Sequence, residues 1–267
     1  MPRRNPPFTK YDVLLSPAER PVIAHRGASA YAPENTLEAF ELALSMGADA
    51  LELDVRVTAD GVPVVVHDAT LDRTTDMSAP VAERAFEQLR RADAGACFST
   101  DGVEFPWRGR GVRVPALAEV LDALPDVPLL IEVKEPRGQE EVRRVLTDQR
   151  AMGRCVVAAE RVDSLRVFRE PPWVCGATRP DIASLYFGTL IGLRRPPRRT
   201  SYSLIAAPAR WLGLRVPNAR FNRAARRLST PVHVWTVDDP AEARRLWRDG
   251  ASGMVTNRPD VMVKARG

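Results

Sequence analysis

Short apolar runs that end in polar residues recur along the chain: "PVIAHRG" (21–27), "ADALELDV" (48–55), "VPVVVHD" (62–68), "VPLLIEVK" (127–134), "RCVVAAE" (154–160), "WVCGAT" (173–178), "PVHVWTV" (231–237) and "SGMVTN" (252–257). Between most of them lie stretches such as "TLEAFELALSMG" and "PALAEVLDALP", in which apolar residues return at helical spacing. Strand and helix patterns in alternation predict a parallel sheet with crossover helices. About eight strand candidates in one chain of 267 residues predict an α/β fold, a β/α barrel rather than an open sheet.

One junction departs from the alternation. Only Ala59, Asp60 and Gly61 separate "LELDVRVT" from "VPVVVHD", too few residues for a crossover helix and a recognisable hairpin turn. Antiparallel pairing about that turn sets the region of Asp54 opposite that of Val66 and returns His67 to the height of Glu52 and Asp54.

Two longer stretches interrupt the repeat. Residues 69–115 contain the polar, glycine-containing "DAGACFSTDGVEFPWRGRG" and are expected to form a small lobe inserted after "HD", over the barrel mouth. Residues 179–230 read as a long variable segment, with "LRRPPRR" between the apolar "SLYFGTLIG" and "SLIAAPARWLG". That segment reads either as a helix with a basic surface loop or as a lid or peripheral membrane contact through 184–214. The rest is one domain over 20–263 behind an N-terminal extension, 1–19.

Hydrophobic residues at 45% and charged residues at 27% fit a globular chain and argue against disorder. The net charge of +5 biases the surface toward anionic ligands, but the arginines are not interleaved with aromatics, so no nucleic-acid partner is expected. Cys97, Cys155 and Cys175 are odd in number and far apart, which argues against a disulfide framework. With a proline-broken N-terminus and no apolar run of membrane-spanning length, the expected location is the cytoplasm.

Candidate chemistry lies at the strand ends. Glu52 and Asp54 are two apart, so their carboxylates leave one face of a strand while Leu51, Leu53 and Val55 pack the other. Two carboxylates side by side in an apolar strand repel unless a cation or shared proton intervenes, and a divalent metal is the simplest solution. Glu132 and Lys134 share a face in the same way, and barrel strand ends converge on one mouth. Three carboxylates suit one divalent cation, Mg²⁺ or Ca²⁺, better than Zn²⁺. Internal ion pairs, Glu132 with Lys134 or Arg26 with Glu52, would also neutralise these charges, but they leave His25 and His67 unexplained. Those two histidines could serve as general acid and base, with Arg26 and Lys134 facing phosphoryl oxygens.

"HRG" followed by "APENTLEAF", "ELDVRVTADGVPVVVHD", "IEVK", "VWTVDD" and "GMVTNRPD", in this order over about 20–260, resembles the glycerophosphodiester phosphodiesterase family. The resemblance implies an irregular (β/α)8 TIM-type barrel with a small lobe inserted after "HD", and hydrolysis of a small glycerophosphodiester to glycerol 3-phosphate and an alcohol. Glu52, Asp54 and Glu132 would then hold the cation, His25 and His67 would form the acid and base pair, and Arg26 and Lys134 would contact phosphate. Glu34 and Asn35 would shape the first loop, Glu34 orienting Arg26 or His25, and Trp235 would line the substrate pocket. Asn257 stands where the family has an aspartate, and reads as a changed structural contact; His233 reads as a barrel-interior residue. Two other functions remain open: a lysophospholipase D-type enzyme at a membrane surface, and a non-catalytic phosphate-ester binder.

Overall fold

The computed structural model describes residues 10–190, 201–211 and 213–267. In chain order its strands and α-helices are β1 (Val22–His25), α1 (Leu37–Ser45), β2 (Ala50–Val57), β3 (Pro63–Val65), α2 (Phe86–Leu89), α3 (Leu117–Ala123), β4 (Leu129–Val133), α4 (Gln139–Asp148), β5 (Cys155–Ala158) and α5 (Arg179–Leu190). There follow β6 (Ile205–Pro208), β7 (Arg210–Trp211), β8 (Leu214–Arg215), α6 (Ala219–Arg227), β9 (Val232–Trp235), α7 (Pro240–Arg248), β10 (Met254–Thr256) and α8 (Pro259–Arg266).

Seven parallel strands run in the order β5-β4-β2-β1-β10-β9-β6. The ring is completed by the segment around Cys175 and Gly176, which bridges Val157 on one side and Leu204 on the other. An irregular β/α barrel results, with the strands buried on both faces as parallel sheets require. Of the eight runs noted in the sequence, "VPVVVHD" is not a barrel strand: β3 pairs antiparallel with β2, Val55 opposite Val65, outside the ring. The missing barrel strand, β6, comes from "SLIAAP" inside the 179–230 stretch, where the long separation from α5 hid it.

That stretch therefore contributes α5, β6, the β7–β8 hairpin and α6 to the barrel. The arginines at 194, 195, 198 and 199, part of the membrane-contact expectation for 184–214, lie outside the described residues, as do residues 1–9 of the N-terminal extension. Among the described residues no helix is long and apolar enough to cross a membrane. Residues 69–115 are mostly irregular and pack through a small core of their own, in which Leu71, Val81, Leu89 and Val112 close on Val64 and Val66 of the β3 hairpin.

His233, on β9, is fully buried. Its Nε2–H donates to the Leu14 carbonyl at 2.8 Å and its Nδ1 accepts from the Gly253 N–H at 3.1 Å, so both ring nitrogens are spent in joining the N-terminal 3-10 turn to the barrel. A Cβ at position 253 would come within 2.5 Å of Nδ1, which is why glycine stands there. Burial, opposed only weakly by the Leu14 bond, pushes the imidazole down to about 4 from 6.5. Below pH 6.5 the unfolded chain therefore binds a proton that the folded chain refuses, and stability falls with pH until about pH 4. The loss expected over that window is about 3 kcal/mol. Urea midpoints measured across it should fall less steeply for His233→Gln than for the wild type; parallel slopes would refute the assignment.

Candidate active site

The site grows from the C-terminal ends of β1, β2 and β4. Their parallel register sets His25 beside Glu52 and Asp54 beside Glu132, so three neighbouring strands deliver a histidine and three carboxylates to one mouth. The chain then leaves β1 through two left-handed residues, Arg26 (φ 57) and Gly27 (φ 85). A Cβ on Gly27 would lie 2.6 Å from the Ala39 carbonyl carbon, so glycine alone lets α1 close this tightly on the strand end. Arg26 holds its conformation through its N–H to the Glu52 carbonyl at 3.0 Å and its own carbonyl to the Asn35 N–H at 3.0 Å. Thr36 caps α1 by accepting from the Ala39 N–H, which fixes "PENT" as the loop that precedes the helix.

Carboxylate oxygens of Glu52, Asp54 and Glu132 all lie within 4.8 Å of one another. Lys134 Nζ is 2.8 Å from Asp54 Oδ1 and 2.9 Å from Glu132 Oε2, and Arg26 Nε is 2.9 Å from Asp54 Oδ2. Asn35 clamps Asp54 from a third side, its Nδ2 donating to Oδ2 at 3.0 Å. The ion pairs weighed from sequence thus exist for Glu132 with Lys134, while within the triad Arg26 pairs with Asp54 rather than Glu52. Burial opposes ionisation of Asp54, yet Lys134 and Arg26 hold its carboxyl below the usual range.

Glu52 is different. It accepts the Arg26 backbone N–H at 3.2 Å, but among the described residues it is in no ion pair, although it is buried. Burial, then Asp54 and Glu132, raise its carboxyl well above the ordinary value. Glu132 is raised as well, by burial first and then, against the pull of Lys134, by Asp54. Three carboxylates thus face two cationic side chains, and the uncompensated one, Glu52, is buried. The donor set is hard, all oxygen and one charge short, which fits a divalent cation such as Mg²⁺ or Ca²⁺.

The histidines have unlike partners. His25 Nδ1 lies 2.7 Å from Asn257 Oδ1, which also accepts from Ser29 Oγ at 2.8 Å. Asn257 Nδ2 donates to Asp238 Oδ2 at 2.8 Å, and this bond fixes which way the amide points. His25 therefore carries its proton on Nδ1 and presents Nε2 as an acceptor. Burial and the adjacent Arg26 lower its pKa, outweighing the Asn257 bond. His67 Nδ1, by contrast, donates to the carboxylate of Asp68 at 2.6 Å. Burial works against that carboxylate, but Arg73 and His67 hold it down to about 2, so Asp68 is ionised.

Glu34 orients Arg26, not His25: it accepts from Arg26 Nη1 at 2.9 Å and from both terminal nitrogens of Arg73. Arg73 in turn donates to Asp68, linking the first loop to the lobe after "HD". Trp235, at the end of β9, lines a cavity that also touches Glu132. The ten candidate site residues fall at this mouth or in its supporting bonds. Four contributors were missed as such: Asp68 and Arg73, which only the lobe brings together with Glu34, and Asp238 and Ser29, which hold Asn257. Asn257, read as a structural contact, touches His25 directly; its departure from the family pattern was the signal.

Residues 25–261 match the Glycerophosphoryl diester phosphodiesterase family. A glycerophosphodiester phosphodiesterase of Bacillus subtilis (strain 168) is 31% identical over 272 residues, covering 95% of this chain and 88% of that protein. The solved glycerophosphoryl diester phosphodiesterase domain of a Mycobacterium tuberculosis protein superposes with a TM-score of 0.84 at 24% identity, over 93% of this chain and all of that one. An Oleispira antarctica phosphodiesterase, solved in complex with the product sn-glycerol-3-phosphate, superposes with a TM-score of 0.75 at 23% identity over 93% of this chain and 97% of that one. At these identities the two solved structures speak for the fold.

Proposed function

Because the chain belongs to the glycerophosphoryl diester phosphodiesterase family and is thereby an enzyme, we propose that it hydrolyses glycerophosphodiesters to sn-glycerol 3-phosphate and an alcohol with His25 and His67 as its proton-transfer pair. The observation that carries this reading is the pairing of two histidines with unlike partners beside an acidic triad at one barrel mouth. The product held by the Oleispira antarctica phosphodiesterase supports the same product here.

His25, neutral and with Nε2 free of its own proton, accepts the proton of the attacking oxygen, whether that oxygen is water's or the neighbouring glycerol hydroxyl's. As the new bond to phosphorus forms, the bond from phosphorus to the alcohol oxygen breaks. His67, backed by the ionised Asp68, supplies the proton to that departing oxygen. Arg26 and Lys134 line the same mouth and neutralise phosphoryl oxygens, while Glu34 and Arg73 keep Arg26 aimed and Asn35 holds Asp54. A cation held by Glu52, Asp54 and Glu132 would supply Lewis-acid polarisation of the phosphoryl group. With two positive charges added, the cluster would carry one net positive charge, matching a phosphodiester monoanion. Trp235 forms part of the substrate pocket wall. The free thiols of Cys97, Cys155 and Cys175 accord with a reducing cytoplasm.

Release of glycerol 3-phosphate from glycerophosphocholine and glycerophosphoethanolamine tests the reaction. Release abolished by EDTA and restored by Mg²⁺ or Ca²⁺ is expected; release indifferent to EDTA would remove the cation from the reading, and none under any cation would remove the reaction.

A further inference from the structure

The backbones that carry the two histidines are held in different ways. His25 ends β1 inside the sheet, with Glu52 of β2 as its partner in register, and its carbonyl accepts from Ser29 Oγ at 2.8 Å. His67 lies beyond β3, past the hairpin's final backbone bond, which runs from the Val66 N–H to the Asp54 carbonyl at 3.0 Å. Among the described residues His67 makes two hydrogen bonds: its ring donates to Asp68, and its carbonyl accepts from Arg56 Nε at 2.8 Å. Asp68 sets how the ring turns, whereas the bond that fixes the backbone beneath it comes from Arg56.

Arg56 continues the face of β2 that carries Glu52 and Asp54, because strand side chains alternate, and its own side chain is only 16% exposed. Its Nη1 is 3.6 Å from Glu135 Oε2, and the other oxygen of Glu135 is 3.7 Å from Arg137 Nε. Arg137 in turn donates from Nη2 to the Val57 and Thr58 carbonyls at 2.9 and 3.1 Å. Glu135 follows Lys134 just past β4, so the end of that strand aims the Arg56 fork and the fork carries the aim to His67. The acceptor of the Nε bond is a neutral carbonyl, which calls for an N–H at that point rather than a charge.

We propose that Arg56 is the positioning residue of the proton donor: its Nε–H holds the His67 carbonyl and thereby sets the imidazole against the departing alcohol oxygen. The assignment rests on the hydrolytic reading above, in which His67 protonates that oxygen as its bond to phosphorus breaks. Among the described residues the ion-pair partner of Arg56 is Glu135, outside the acidic triad, so loss of Arg56 acts on kcat and spares KM and cation binding. A misplacement of about 1 Å at a reacting group costs up to about a hundredfold.

Two near-isosteric variants separate the bond from the bulk. Arg56→Met puts a methyl carbon where Nε stands, and Arg56→Gln puts an amide N–H donor there without the guanidinium charge. Turnover is compared on glycerophosphocholine, whose choline oxygen needs a proton to depart, and on the glycerophosphate ester of p-nitrophenol, whose phenolate departs without one. The expected result on glycerophosphocholine is a kcat at least about tenfold lower in Arg56→Met with KM within about twofold, and a kcat within about threefold in Arg56→Gln. On the p-nitrophenyl ester both variants should stay within about threefold of the wild type, which also reports a folded mouth. Equal losses on the two esters, a raised KM in place of a lowered kcat, no loss in Arg56→Met, or Arg56→Gln as impaired as Arg56→Met would each overturn the assignment. Should Arg56→Met not fold, Glu135→Ala decides, since it frees the fork without removing it: a loss confined to glycerophosphocholine upholds the assignment, and an equal loss or none overturns it. His67→Ala, run alongside, tests the underlying reading. A loss in it confined to glycerophosphocholine keeps His67 as the donor whatever Arg56 does; equal losses on both esters, or a wild type that cleaves neither, would overturn that reading and the assignment with it.

Discussion

Replacing His25 or His67 with alanine should lower turnover of a glycerophosphodiester by at least about a hundredfold, the range of a positioned general acid or base. Neither side chain is part of the acidic triad, so the thermal shift produced by a divalent cation should survive in both variants. The two losses should differ in pH dependence. Burial, followed by Arg26, depresses His25, so the ascending limb of wild-type kcat/KM is expected below pH 6.5, as His25 becomes the neutral acceptor. His25→Ala should abolish that limb, whereas His67→Ala should leave it. Near-wild-type activity in either variant would take that histidine out of the mechanism, and an ascending limb that persists without His25 would reassign the base.

Glu52→Gln should raise the cation concentration for half-maximal activity by at least about tenfold, since a hard oxygen donor loses its charge without losing its shape. Cation-free protein supplies a second readout. The folded pKa of Glu52 lies above its unfolded value, so folded chains bind the extra proton, and stability falls as pH rises from about 4.5 through the folded pKa. In EDTA, Glu52→Gln should therefore melt at a temperature equal to or above that of the wild type at pH 8, while gaining little from added Mg²⁺ or Ca²⁺. An unchanged cation titration would sink the ligand role; a large loss of stability in EDTA would show that Glu52 is satisfied by some other partner.

The contrast between Glu52 and Asp54 illustrates how far a sequence pattern reaches. That both carboxylates share a face follows from the two-residue strand period, and that Glu132 joins them follows from strand ends converging in a barrel. Which carboxylate Arg26 would neutralise does not follow, because it depends on the left-handed turn that swings Arg26 past Glu52 toward Asp54. Arg73 shows the same limit: it meets Glu34 across 39 residues of sequence, and nothing local marks it. Strand β6 was hidden for a related reason, since "SLIAAP" follows an unusually long connection and carries no charged residue at its end to announce it.

By itself the sequence determined the alternation of strands and helices, the "ADG" hairpin that returns His67 to the mouth, and the set of side chains at the strand ends. Each of these rests on short-range rules: a strand period of two, a turn that needs glycine, and the helical spacing of apolar residues. Tertiary structure alone decided the charge ledger around Glu52, the amide on His25 against the carboxylate on His67, and the apolar cavity between α5 and the β7–β8 hairpin. Those properties are sums over groups distant in sequence, brought within a few ångströms and removed from water, where a single missing partner or an unfilled wall changes the chemistry.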